Sequence, residues 1–577
     1  MSRSTWAPPS VRAAIRHGGS LLAAAALTGG AALALAAPAS AVTAVAPTAV
    51  AHGTHGTTFY VNSCKGNDHQ RGTSPKHPWK TLDKVSATTF EPGDRILFHR
   101  GCAWKGQLWP KGSGTASAPI TIGSYGGGAK PAIEGGGAVA DTVKLHNQEY
   151  WDIQNLDVSN EAAATGTPGE NLGDLRGIHI SGDNAQQLDH FVIDRVDVHD
   201  VTGEVNWISG DTAGNATGVH FRTGWDGSKK TGGIVFDTTV PDVTAPPSTA
   251  TTLNDITVRN STITNTSFAG IVVKQYTGDG ANAVATGWGT RKSASDTGFT
   301  PHTNVTLRNN YISQADTAYG CNGIYLTDVR NALVDHNVIA HAGTSGIETY
   351  YSDQVTIQHN EVYGTKQKAG GADFNAIDPD KGTTAVTVQY NYVHDNGDGI
   401  LFCQFAFGSV TARYNIVANS SRYPVYLHSD KAATADIYNN TVYNGNSSNY
   451  LVYGYGSSLA STYTLRDNAF YSKVAAASLT TSPTITYDDN YYGGAALPVP
   501  SGDTHAVSGD AMFANPSVTG PYGDATSGPQ LATALGYAPT DGSVLIDSGA
   551  AIADNGGADY RGADLYHGAP DVGAIEH

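Results

Sequence analysis

One short pattern recurs through the second half of the chain and limits what it can fold into: an alternating strand, two residues, an asparagine, and a second short strand. It reads VTLRNNYIS from Val305, ALVDHNVIA from Ala332, VTIQHNEVY from Val355, VTVQYNYVH from Val386, VTARYNIVA from Val410, ADIYNNTVY from Ala435 and YTLRDNAFY from Tyr463. The asparagines are Asn310, Asn337, Asn360, Asn391, Asn415, Asn440 and Asn468, so the steps are 27, 23, 31, 24, 25 and 28 residues. Segments of this period, rich in Val, Ile, Thr and Tyr and alternating every second residue, predict a solenoid whose coils hide apolar side chains only against their neighbours. The asparagine suits a bend, where it tolerates left-handed backbone and can bond to its counterpart one coil away. WDIQNLDVS at Trp151, FVIDRVDVH at Phe191 and ITVRNSTIT at Ile256 fit the same template with the landmark substituted. The expected fold is all-β: a right-handed parallel β-helix of roughly ten coils.

The ends depart from the repeat, as terminal coils must if they are not to expose apolar edges. Residues 1–41 read as a signal peptide, with Arg3, Arg12 and Arg16 ahead of an Ala/Leu-rich run and the small-residue site Ala39-Ser40-Ala41. Residues 42–137 read as an N-terminal cap with opening coils and a short helix around Pro78–Val85, 138–482 as the helix proper, and 483–577 as a C-terminal cap. Two long Gly/Ser/Thr-rich insertions, 201–252 and 277–303, carry Trp207, Trp225 and Trp288. Loops of this length tend either to carry function or to be mobile.

The first residues imply a secreted, extracellular and soluble protein, and a capped solenoid is expected to be a monomer. A formal charge of −17 with only 15% charged residues opposes a nucleic-acid partner. No later stretch is apolar for long enough to cross a membrane. Of the four cysteines, Cys64 and Cys102 can pair, whereas Cys321 and Cys403 belong to coils too far apart for a bridge.

A second landmark, a small residue followed by a branched one, opens another strand in each coil. It reads RGIHIS at Arg176, TGVHFR at Thr217, AGIVVK at Ala269, NGIYLT at Asn322, SGIETY at Ser345, NAIDPD at Asn375, DGILFC at Asp398, YPVYLH at Tyr423 and YLVYGY at Tyr450. If the branched residue points inward, alternation puts His179, His220, Val272, Tyr325, Glu348, Asp378, Leu401, Tyr426 and Tyr453 in a first outward row. Ser181, Arg222, Lys274, Thr327, Tyr350, Asp380, Cys403, His428 and Tyr455 form a second. With coils about 4.8 Å apart, Glu348, Asp378 and Asp380 crowd into one patch, and at least one of their pKa values must rise. Asp373 and the DNGDG run at Asp395, which includes Asp398, bracket the same coil.

Paired carboxylates beside aromatic rings are what acetal cleavage requires: an acid for the leaving oxygen, and a nucleophile or base for the sugar carbon. Expected substrate contacts are Glu348, Tyr350, Tyr325, Asp398, Gln404, His428, Arg222, Lys274 and His220, with no metal and no cofactor.

The segment GADFNAIDPDKGTTAVTVQYNYVHDNGDGI, with Asp373 and Asp380 seven positions apart, resembles the catalytic coil of β-helix glycosidases of the lacto-N-biosidase type, glycoside hydrolase family 136. That resemblance implies a retaining hydrolase of an extracellular oligo- or polysaccharide. It makes Asp373 the acid/base and Asp380 the nucleophile, or the reverse, with Asp378 a supporting carboxylate. The same coil also resembles calcium-binding coils of pectate lyases, which keeps open a calcium-dependent lyase with Lys274, Lys381 or Arg222 as base. A non-catalytic carbohydrate-binding solenoid is the third reading.

Overall fold

A computed structural model describes residues 56–163, 174–203, 231–278, 282–317, 320–368, 373–446, 448–456, 459–566 and 568–577. The leader, His220, Arg222, Trp207 and Trp225 lie outside the described residues. No helix among the described residues is long and apolar enough to cross a membrane.

Alternating branched and polar residues give strands, and the strands stack in register into three parallel sheets. The first holds 14 strands from Thr58–Val61 to Ile485–Asp488, the second 13 from Ala103–Lys105 to Tyr491–Gly494, and the third 11 from Asp141–His146 to Ser478–Leu479. One coil visits the third sheet (Gly320–Thr327), the first (Val329–Asp335) and the second (Val338–Ala340) before the next begins at Ser345. This is the β-helix that the repeat predicts. It runs further than the repeat shows, because strands from Thr58 and from Tyr491 join the same ladders. The one α-helix among the described residues, Leu82–Ser86, starts at Thr81, whose hydroxyl accepts the Lys84 N–H at 3.1 Å.

Inside, like stacks on like. Ile178, Ile234, Ile271, Ile324, Ile347, Ile377, Ile400, Val425 and Val452 pair from coil to coil along the third sheet, and all are buried. The small residue ahead of each has a steric cause. A Cβ on Gly346 would come within 2.5 Å of the Val362 side chain from the second sheet and 2.6 Å of the Ala376 carbonyl. The row also corrects one strand assignment: the coil after His179 is built by Gly232–Thr238, with Ile234 inward and Val235 beside His179, not by the segment carrying His220 and Arg222.

The asparagines form a ladder. Asn360 donates its amide to Asn391 Oδ1 at 3.0 Å and to the Val334 carbonyl at 2.9 Å, and its backbone N–H meets the same Asn391 oxygen at 3.0 Å. The pattern runs from Asn310 to Asn490 and ends on Asp503, whose carboxylate takes the Asn490 amide at 3.1 Å and the Tyr492 hydroxyl at 2.8 Å. The left-handed residue is the one before each asparagine, such as His336 (φ 54°), His359 (φ 52°) and Tyr390 (φ 58°). The asparagine itself serves as the inter-coil tie.

Past Gly494 the chain leaves the coils and returns along the flank of the second sheet. Ala534, Tyr537, Tyr560, Ala574 and Ile575 bury against Tyr392, Ile416, Ala418 and Tyr443, and the Gly523 N–H reaches back to the Glu361 carboxylate at 3.0 Å. The C-terminal segment thus covers a side of the solenoid as well as its last coil. The third sheet is left to the site.

Candidate active site

The alternation that buries the isoleucine row turns the next residue of every third-sheet strand outward. Tyr325 pairs with Glu348 and Glu348 with Asp378 on successive coils. Asp398 stands beside Asn375 one coil further on, and Asp380, two residues beyond Asp378, belongs to the second outward row. Outward here does not mean wet: Glu348 is 1% and Asp378 2% exposed, whereas Asp373 and Asp380 are half-buried. The cover changes the electrostatics.

Burial pushes Asp378 well above the ordinary carboxylate range, and the charges of Asp380, Glu348 and Asp373 push it further, against a hydrogen bond from Ser345. The strand register sets Glu348 beside Asp378, with Asp380 two residues further along the same coil. Its Oδ2 accepts the Asn375 amide at 3.0 Å. Asn322 donates to Glu348 Oε2 at 2.6 Å. Asp380 Oδ1 accepts the backbone N–H of Lys381 at 2.6 Å. Burial also raises Asp373, with Arg422 opposing.

Arg422 is the residue that sequence reasoning missed. Its guanidinium forks onto the Asp398 carboxylate, with Nε to Oδ1 at 2.7 Å, and lies 4.1 Å over the Phe374 ring and 4.8 Å over that of Tyr423. Burial outweighs this partner, so Asp398 rises to about 6. An arginine just ahead of the strand Tyr423–His428, whose first residue pairs with Asp398 one coil earlier, was the available signal.

The other expected contacts divide. Tyr350 is buried, edge-on to Tyr351 at 5.0 Å, with Lys381 Nζ 5.8 Å from its ring. Tyr325 is fully buried and packs with Val235, Phe268, Val272 and Cys321 in a covered apolar patch on the outer side of the sheet, next to Glu348. Lys274 is buried beside Asp237, three coils from Asp378; burial pushes the Asp237 carboxyl up, but His179, Arg176 and Lys274 outweigh it and hold that group at about 2. Gln404 sits at the turn after Asp398–Cys403, its backbone N–H on the His428 carbonyl at 2.8 Å. His428 is half-buried with Nδ1 3.6 Å from Cys403 Sγ. Asp395, by contrast, faces the opposite flank, held by His394 at 3.0 Å and the Tyr522 hydroxyl at 2.9 Å, so the DNGDG run contributes only Asp398. Cys64 and Cys102 are bridged, and Cys321 and Cys403 are free thiols.

Among the described residues, the acid and histidine groups close enough to share an ion are Asp335/His336/His359 and Asp488/Asp489/His505, both off this strip.

A family model described as a right handed beta helix region matches residues 248–442. The chain is 28% identical to the lacto-N-biosidase of Bifidobacterium longum subsp. longum over 90% of its own length, and spans 36% of that protein's length. This is a parallel β-helix protein similar to the family 136 lacto-N-biosidases. The native structure of such an enzyme from Eubacterium ramulus superposes with a TM-score of 0.53 at 19% identity, covering 76% of this chain and 67% of the other. Its selenomethionine form gives 0.50 at 18%, over 78% and 67%. These likenesses concern the fold.

Proposed function

We propose that the chain is an exported glycoside hydrolase that cleaves an extracellular oligo- or polysaccharide with retention of configuration, using Asp373 and Asp380. The observation that carries this reading is the gathering of Asp373, Asp378, Asp380 and Glu348 on adjoining coils, with burial and mutual charge holding two of them in reach of the protonated form. Similarity to a lacto-N-biosidase over 90% of the chain supports the same class.

Retaining hydrolysis asks one carboxyl to be an acid and another a nucleophile. Asp373, raised by burial, protonates the leaving oxygen. Asp380, steadied by the Lys381 N–H, attacks the sugar carbon, and Asp373 then draws the proton from the water that releases the product. Asp378, buried and held by Asn375, keeps its proton and so limits the negative charge beside Asp380. Arg422 and Asp398 close one side. A lyase is less well served, because Lys274 is buried beside Asp237 and the patch would repel a uronate.

The test is a screen of the purified protein against aryl glycosides and natural glycans, with product masses, anomer analysis by NMR, and a chelator control. The reading expects a hydrolysed product that first appears as the retained anomer, with turnover unchanged by the chelator. An unsaturated product that disappears with chelation would make it a lyase.

A further inference from the structure

Aromatic rows climb this solenoid on more than one face. On the first sheet's edge, His336, His359, Tyr390, Tyr414 and Tyr438 follow one another ring to ring, and the C-terminal segment closes the upper part with Ile552 and Leu565. On the second sheet, Tyr443 and Tyr471 stack at 5.0 Å and are covered by Phe513 and Tyr537 of the same segment. Those rows are accounted for by packing. The aromatic group at the C-terminal end of the third sheet has no such cover among the described residues.

It consists of Tyr423, Tyr426, Tyr450, Tyr453, Tyr455 and His428. Tyr423 and Tyr453 lie face to face at 3.9 Å and 9°, whereas His428 and Tyr455 meet tilted, at 4.2 Å and 56°. Accessibility rises along the second outward row: Tyr350 is 5% exposed, Asp380, Cys403 and His428 are half-buried, and Tyr455 is 51% exposed. In the opposite direction the strip closes, with Tyr325, Val272 and Val235 at 0%. In the first outward row burial continues past Asp378 through Leu401 at 1% and Tyr426 at 7%, so of the acids it is Asp380, in the second row, that opens toward the C-terminal coils. Arg422 joins the two regions, since it pairs with Asp398 and lies over Tyr423.

We propose that Tyr423, Tyr453, Tyr455 and His428 form a stacking platform for pyranose rings beyond the cleaved bond, so that the glycan runs along the strip toward the C-terminal coils. The occupant is a neutral oligosaccharide: tyrosine faces attract the C–H faces of sugar rings, and the acidic strip disfavours an anionic chain. Successive coils, about 4.8 Å apart, put Tyr453 about 14 Å along the axis from Asp378, which leaves room for sugars between them. The required substrate is longer than a disaccharide. This inference rests on the glycosidase reading for its orientation, but its test reads binding.

The experiment uses the full chain carrying Asp373→Asn, alone and combined with Tyr453→Ala/Tyr455→Ala or with Tyr455→Phe, on a printed array of neutral oligosaccharides from disaccharides to hexasaccharides. Single-variant protein is expected to retain the longer glycans, the double alanine variant to lose about tenfold or more in affinity for them, and the phenylalanine variant to keep it. Retention that ignores chain length, retention that survives the double alanine substitution, or retention of no glycan would each overturn the platform. The glycosidase reading is decided separately by sugar release from the unsubstituted protein, so hydrolysis with length-independent binding would leave it standing and remove the platform alone.

Discussion

Asp378 carries an electrostatic penalty in the acid patch, because burial and three neighbouring carboxylates all act on it in the same sense. Its folded pKa is raised, so between the unfolded value near about 4 and that higher value the folded state holds a proton that the unfolded state has lost. The stability it contributes therefore falls as pH climbs through that window. Asp378→Asn removes the penalty. Its melting temperature relative to the natural protein should start near zero at about pH 4 and rise toward about pH 7, as read by calorimetry; a difference that stays flat would mean that Asp378 is not the crowded group. At this scale the sequence was legible where chemistry depends on residue type and alternation: Glu348, Asp378 and Asp380 meet because small-Ile landmarks fix the facing of each strand. Burial was not legible, since it depends on what lies over the strip. Arg422 escaped because it acts through a partner one coil earlier in the chain.

Each coil holds to the next by polar ties as well as by its core. A ladder asparagine is buried with its amide spent on two carbonyl oxygens and its own oxygen taken by the preceding coil, as for Asn391 between Asn360 and Asn415. Asn391→Ala leaves those groups unsatisfied in a dry interior and should cost on the order of 2–4 kcal/mol in denaturant unfolding. A loss under half a kcal/mol, roughly, would show that the ladder is decorative. On the first sheet, His190 ties three coils together through Asp152 at 3.2 Å and Asp255 at 2.8 Å. The hydrogen bond to Asp152, followed by that to Asp255 against the cost of burial, raises its pKa to about 9. A raised histidine stabilises fully below its unfolded value near about 6.5 and ceases to as pH passes through its folded value. His190→Gln should thus lower the melting temperature at about pH 6 and converge with the natural protein by about pH 10. The ladder was readable from a repeated asparagine; the Asp–His–Asp tie was not, because its members lie 38 and 65 residues apart with no repeated spacing.

Over the whole molecule, the period of the repeat made the β-helix readable before any strand was assigned, while the course of the C-terminal segment was not. Its sequence loses the repeat, and only the fold shows that it returns to bury Tyr392, Ile416 and Tyr443 and to place backbone N–H groups on Glu361. Truncation after Ala496 should uncover that flank and yield aggregated protein, judged by size-exclusion chromatography; a soluble monomer of unchanged melting temperature would contradict the account of the flank. That covering falls on the second sheet, while Glu348 and Asp378 are gathered on the third from coils distant in sequence. The account is tested most directly by the turnover of Asp373→Asn and Asp380→Asn on a glycan that the natural protein cleaves, with circular dichroism to check the fold. It predicts that each variant loses activity by about a hundredfold or more while remaining folded. Full turnover by either one would contradict it.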